Sequence, residues 1–131
     1  MVQQTNRILF NVLAHDVEET ARFYETLCGL KRIYTSDWYI VLTPNGDLDA
    51  MNYELGIIDH VHQSVPRPAR GHFSGGYLTL VVEDVHAAHR DAEMMGADIV
   101  SPPTPMDYGQ TQMILRDPNG VVLDISTPTS G

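Results

Sequence analysis

The spacing of hydrophobic residues along this chain changes period from strand to helix, and the same change recurs later. Ile8-Leu9-Phe10-Asn11-Val12-Leu13-Ala14 is a nearly unbroken apolar run of strand length. Beyond Asp16 the spacing becomes helical, with Val17, Ala21, Tyr24 and Leu27 on one side and Cys28-Gly29 at the end. The order returns in Tyr77-Leu78-Thr79-Leu80-Val81-Val82, Asp84-Val85 and a stripe of Val85, Ala88, Ala92 and Met95 that ends at Gly96. The two Asp-Val pairs lie 68 residues apart. Each Asp is placed to accept from free N–H groups of a first helical turn, and each Gly stands where a left-handed residue closes a helix. Asp16 and Glu19 also have capping-box spacing, with Asp in the cap role.

After each helix the pattern predicts three more strands. The first of these is short and poorly marked; the next two are joined by Pro44-Asn45-Gly46 in one case and Pro118-Asn119-Gly120 in the other, both hairpin signals. Trp38 to Leu42 and Met113 to Leu115 precede the turns, and Asn52 to Ile58 and Val121 to Ser126 follow them. The chain thus reads as a single domain, 1–131, of two βαβββ repeats: repeat one over about 8–59, a polar Pro- and Gly-bearing linker over about 60–75, and repeat two over about 76–127. About fifty residues bury too little surface to stand alone, so the repeats are expected to share a core or to exchange with a second chain. The prolines of Ser101-Pro102-Pro103-Thr104-Pro105 predict an extended or looped segment.

Composition narrows the function. With 131 residues, 43% hydrophobic and 19% charged, the chain has the makeup of a globular protein. Eight basic against seventeen acidic residues give a net charge of -9, which disfavours nucleic acid and favours a cationic ligand. No apolar run approaches the roughly 20 residues of a membrane span, and Met1 to Arg7 is polar, so the expectation is a soluble, cytoplasmic protein with no membrane partner. Cys28, the single cysteine, allows neither an internal disulfide nor a multi-cysteine zinc site. Near a helix C-terminus the dipole raises its thiol pKa, and it reads as a packing residue.

Two runs carry a family resemblance: Asp16-Val17-Glu18-Glu19-Thr20-Ala21-Arg22-Phe23-Tyr24-Glu25 and Arg116-Asp117-Pro118-Asn119-Gly120-Val121-Val122-Leu123-Asp124. With the paired repeats, they make the chain resemble the vicinal oxygen chelate superfamily, which holds glyoxalase I, bleomycin-resistance proteins and extradiol dioxygenases. The resemblance spans Ile8 to Ile125. It implies an α+β fold in which two βαβββ repeats form paired mixed sheets around a cavity, and a homodimer. It does not imply one activity, since this fold hosts lyases, epimerases, dioxygenases and plain binders. Catalytic members hold a divalent metal on His, Gln or Glu side chains of the first and last strands of each half. The family spacing carries those positions onto Leu9, Tyr77 and Asp124, with Glu54 as the first-half counterpart of Asp124 to within about two positions. Leu9 cannot bind a metal and a phenol replaces imidazole poorly, so the sequence departs here from glyoxalase I.

Strand alternation extends the candidate cavity. Leu9, Asn11 and Leu13 share one face, as do Tyr77, Thr79 and Val81; Glu54, Gly56 and Ile58 share another, as do Val122, Asp124 and Ser126. An apolar and aromatic concavity with few polar groups suits a small molecule, though the same strands could close into a core. Glu54 and Asp124 are candidates for a general base or for the anionic partners of a cation, or else surface charges. Trp38 and Tyr39 are read as adjacent strand positions facing opposite ways, one of them able to stack on a planar ligand. His60, His62 and His72 fall in the linker and read as solvated or interface-lining, His15 as a turn residue, and His86 and His89 as an exposed helix face. Tyr108-Gly109 is either a lid-like loop at the cavity mouth or a plain connection.

The leading expectation is a metal-independent binder of a small aromatic or cationic molecule, of the drug-sequestration type, with no cofactor. Its candidate site is Leu9, Asn11, Trp38, Glu54, Tyr77, Thr79, Tyr108 and Asp124. The alternative is a metal-dependent lyase, isomerase or dioxygenase using Mn, Fe, Ni or Zn on an atypical set of Glu54, Asp124 and a linker histidine.

Overall fold

A computed structural model describes residues 3–44, 46 and 53–130 of the protein. Strand β1 (Ile8–Ala14) leads into helix α1 (Val17–Cys28), followed by β2 (Lys31–Thr35), β3 (Tyr39–Thr43) and β4 (Tyr53–Asp59). A 3-10 turn (Arg67–Ala69) precedes β5 (Leu78–Val81), α2 (Val85–Met94), β6 (Asp98–Pro105), β7 (Gln110–Arg116) and β8 (Val122–Pro128). The chain divides into two compact units, Met1–Glu25 with Gly29–Arg70 and Thr26–Cys28 with Gly71–Gly131. Asn45 and Asn52, expected in the first hairpin, lie outside the described residues.

The first unit holds a four-stranded sheet in the order β1-β4-β3-β2, with β1 parallel to β4 and the remaining pairs antiparallel. Alternation buries Val12, Ala14, Ile40, Leu42, Leu55 and Ile57 on one face. In α1, Val17, Thr20, Ala21, Tyr24 and Leu27 are buried at helical spacing. Asp16 caps the helix by accepting from Glu19 N–H at 2.9 Å, and Gly29 at φ 67° closes it with its N–H on the Glu25 carbonyl. Such a cap contributes about 1 kcal/mol. Arg32 of β2 ties strand to helix by donating to both Glu18 and Glu25. Residues 60–70 are not a bare linker, because Val65 is buried and Arg70 donates to the His62 and Val65 carbonyls.

The second unit holds a sheet in the order β5-β8-β7-β6, with β5 parallel to β8. Helix α2 lies against β6, β7 and β8, with Val85, Ala88 and Ala92 buried, as are Met113, Leu115, Leu123 and Ile125 on the sheet. Burying a side chain of that size contributes roughly 1.5–3 kcal/mol. Asp84 caps α2 by accepting from His86 and Ala87 N–H groups. The proline-rich run belongs to β6, an edge strand whose pairing with β7 shifts register between Ile99 and Ser101 and again between Ser101 and Thr104. That is where prolines, lacking the N–H, are tolerated. The Asp117 carboxylate accepts from Asn119 and Val121 N–H groups and so shapes the β7–β8 hairpin; Gly120 takes φ 87° there. Among the described residues no helix is long and apolar enough to cross a membrane.

Candidate functional site

The parallel pairing of first and last strands creates the candidate site in each unit. In the first it sets Leu9 beside Glu54 and Asn11 beside Gly56; in the second it sets Thr79 beside Asp124. Residues distant in sequence therefore share the sheet face opposite the buried apolar one.

On the first sheet this face carries a closed polar network. Both carboxylate oxygens of Glu54 are engaged by Arg7, Oε2 by Nε and Oε1 by Nη2 at 2.6 Å. Glu54 is buried while Arg7 reaches solvent. The hydrogen-bonded guanidinium holds the Glu54 carboxyl below the usual carboxylate range, outweighing the opposite pull of its burial. Tyr39 crosses the sheet and donates to Asn11 Oδ1 at 2.8 Å. Burial pushes its phenol pKa up, so the proton stays on the oxygen that donates it. The side chain passes over Gly56, where a Cβ would collide with Asn11 Oδ1 and stand 2.8 Å from the Tyr39 hydroxyl. Tyr34, opposite Val41, brings its ring within 6.2 Å of Tyr39.

Trp38 departs from the expected alternation. It lies before β3 in the turn where Ser36 bonds to Tyr39, so the pleat does not dictate its direction. Its ring stacks on Tyr39 at 5.6 Å rather than facing the opposite way, and it stacks flat on His62 at 3.7 Å and 5°. His62 is thus held against an aromatic ring and not merely solvated, with Nδ1 2.8 Å from the Ser64 hydroxyl. His60 Nδ1 approaches the Ala14 carbonyl at 3.1 Å, and its ring lies 4.3 Å from that of His15.

On the second sheet Asp124 is 6% exposed, accepts at Oδ2 from the Thr79 hydroxyl at 3.1 Å and leaves Oδ1 buried with no partner among the described residues. Tyr77, just before β5, and Tyr108 are 63% and 64% exposed. Tyr108 sits in a tight turn closed by Met106 N–H to the Gln110 carbonyl and Gly109 N–H to the Met106 carbonyl. Its hydroxyl accepts from Gln112 Nε2 at 3.3 Å.

Strand register also corrects one correspondence between the halves. Asn11 and Thr79 lie at equal distances from the helix-opening Asp16 and Asp84, and their partners are Gly56 and Asp124. The first-half counterpart of Asp124 is therefore Gly56, two residues beyond Glu54. By the same register Tyr39 corresponds to Gln112 and Val41 to Ile114. Sequence reasoning missed Arg7, which precedes the first strand in a polar segment and whose only signal was being a lone cation near an acidic partner's strand.

These residues do not fit the family's metal. Leu9 and Gly56 offer no donor, Glu54 has both oxygens committed to Arg7, and Tyr77 offers an exposed phenol. Among the described residues no group of three or more His, Cys, Asp or Glu side chains is arranged to hold an ion.

A search of curated proteins finds no match to the sequence. Among solved structures, a glyoxalase/bleomycin resistance protein/dioxygenase family enzyme from Burkholderia phytofirmans PsJN superposes with a TM-score of 0.72 at 20% identity, over 92% of this chain and 96% of that one. TioX from Micromonospora sp. ML1 gives 0.70 at 16% identity, over 95% and 99%. Lactoylglutathione lyase from Agrobacterium tumefaciens gives 0.62 at 16%, over 92% and 91%. At these identities the likeness is one of fold. The sequence itself matches the profile of a family over residues 6–125, and by that match the chain belongs to the Glyoxalase/Bleomycin resistance protein/Dioxygenase superfamily.

Proposed function

We propose that the protein binds a small aromatic or cationic organic molecule and performs no metal-dependent chemistry on it. The observation that carries this reading is the pairing of Glu54 with Arg7. A carboxylate held ionised by two charge-assisted hydrogen bonds has little basicity left for proton abstraction, and its charge is already met by the guanidinium rather than offered to an ion. Tyr39 keeps its proton and spends it on Asn11, so it too makes a poor base. What the candidate faces retain is aromatic surface: Tyr34 in the first unit, and Tyr77 and Tyr108 in the second. The charge of -9 favours a cation among aromatic ligands.

The test is a panel of aromatic compounds of positive, zero and negative charge, scored by ligand-dependent thermal stabilisation and by saturable shifts in protein NMR spectra. Saturable binding of panel members, recovered unchanged, is the expected result. Conversion of a bound compound, or failure of every compound to bind, overturns the proposal.

A further inference from the structure

Position by position, the two repeats treat the centre of these buried sheet faces differently. In the first, Gly56 lacks a side chain and the Tyr39 phenol closes over it to meet Asn11. In the second, the same register position is Asp124, a carboxylate, and the residue in place of Tyr39 is Gln112. Gln112, which stands opposite Ser126 on the same face, directs Nε2 to the Tyr108 hydroxyl. Nor is there an equivalent of Arg7: the residue 68 positions on is Gly75. The result is a buried carboxylate with one oxygen on Thr79, the other without a donor, and no ion pair among the described residues.

Leaving a buried charged acceptor unpaired is costly, and such atoms are rare in folded proteins. Gln110 Oε1, on the same strand face as Gln112, is the other buried orphan among the described residues, and it too is an acceptor. An amide can exchange its oxygen for its nitrogen by rotation; a carboxylate cannot, so Asp124 carries the argument. Neither acceptor finds a donor among the described residues. A divalent ion would need several ligands where one free oxygen is offered. A single N–H donor of unit positive charge matches one carboxylate, and the exposed rings of Tyr77 and Tyr108 in the same unit can receive its organic part.

We infer that Asp124 Oδ1 is the anchor for a protonated amine or amidine, making the occupant of the second sheet an organic ammonium ion with an aromatic body. This rests on the binding function proposed above and narrows it: the cation belongs to Asp124, while Glu54 is neutralised internally by Arg7.

The probe is 2-phenylethylammonium, with 2-phenylethanol and phenylacetate as neutral and anionic counterparts, titrated calorimetrically into the full-length protein and into Asp124→Asn. The expected result is a preference for the ammonium of at least tenfold over the alcohol in the native protein, abolished in D124N. A selectively labelled aspartate carbonyl signal for Asp124 should shift saturably with the ammonium and not with the alcohol, which keeps the test alive should D124N fail to fold. Equal binding of all three probes, or unchanged ammonium binding by D124N, overturns the Asp124 assignment and leaves the binding function standing. Binding of Mn, Ni or Zn ions that D124N abolishes overturns it in favour of a metal ligand. Failure of probes of every charge overturns both readings.

Discussion

Replacing Gly56 by Ala tests the geometry of the first sheet face. Gly→Ala in a compatible backbone ordinarily stabilises by about 0.4–1 kcal/mol, because the unfolded chain loses freedom. Gly56 has no positive φ to forbid the change, so backbone conformation alone predicts a gain. The neighbours predict the reverse. The new methyl would occupy the space of Asn11 Oδ1 and press on the Tyr39 hydroxyl at 2.8 Å, so Asn11 must move and the hydrogen bond between them is lost. A hydrogen bond of this kind contributes about 1 kcal/mol net, and overpacking costs roughly a further 1–3 kcal/mol. Set against the backbone gain, the expected loss is roughly 1–3 kcal/mol. Urea unfolding followed by the fluorescence of Trp38, the only tryptophan, measures it. In an Asn11→Ala background the main obstruction is gone, and G56A should cost at least about 1 kcal/mol less. A stabilising G56A, or equal costs in both backgrounds, would refute the packing described.

Three further outcomes follow from single residues. In Arg7→Met, Glu54 loses the partner that lowers its pKa while its burial remains, so its titration, followed by carboxyl NMR, should move to higher pH. Because the native pKa is depressed, the pair's stabilisation is present above the unfolded-state pKa and fades as pH falls through the folded one; in R7M only burial acts on Glu54, so this acid-side loss of stability should disappear, leaving R7M less stable than the native protein at neutral pH and closer to it in acid. An unmoved Glu54 titration would mean the ion pair does not exist in solution. Burial pushes the Cys28 thiol up to about 12, so its reaction with a disulfide reagent at pH 8 should be about a thousandfold slower than that of a free thiol, and fast modification of folded protein would contradict this. In His62→Ala, Trp38 loses a stacked neighbour and its emission should shift toward that of solvated indole; an unchanged spectrum would place the imidazole elsewhere.

The elements were legible because period, caps and turns agreed with one another along the chain. The run from Ile8 to Ala14 is β1, Asp16 and Asp84 are helix caps, and Asp117 organises the turn that helped carry the resemblance. Alternation also placed Leu9, Asn11, Thr79 and Asp124 on the faces where they lie. Other features were hidden for physical reasons. Residues added after Gly46 lengthen the first hairpin, and only strand register shows that Asp124 answers to Gly56 and not to Glu54. Arg7 and Glu54 meet across a parallel strand pair, a contact that no local period encodes. Trp38 escapes the alternation rule because it belongs to a turn, and His62 because it sits beyond the last strand of its sheet. Function was less legible than fold, since the proposed reading rests on which carboxylate finds a partner within the chain.

The central claim is binding of an organic molecule without a metal. The most direct measurement takes the tightest-binding member of the charged and neutral aromatic panel, titrates it into protein stripped with a chelator, and determines the metal content of the resulting complex by elemental analysis. The account predicts the same affinity before and after stripping and a complex containing far less than one metal ion per chain. Binding that vanishes on stripping and returns with one equivalent of manganese, iron, nickel or zinc would contradict it.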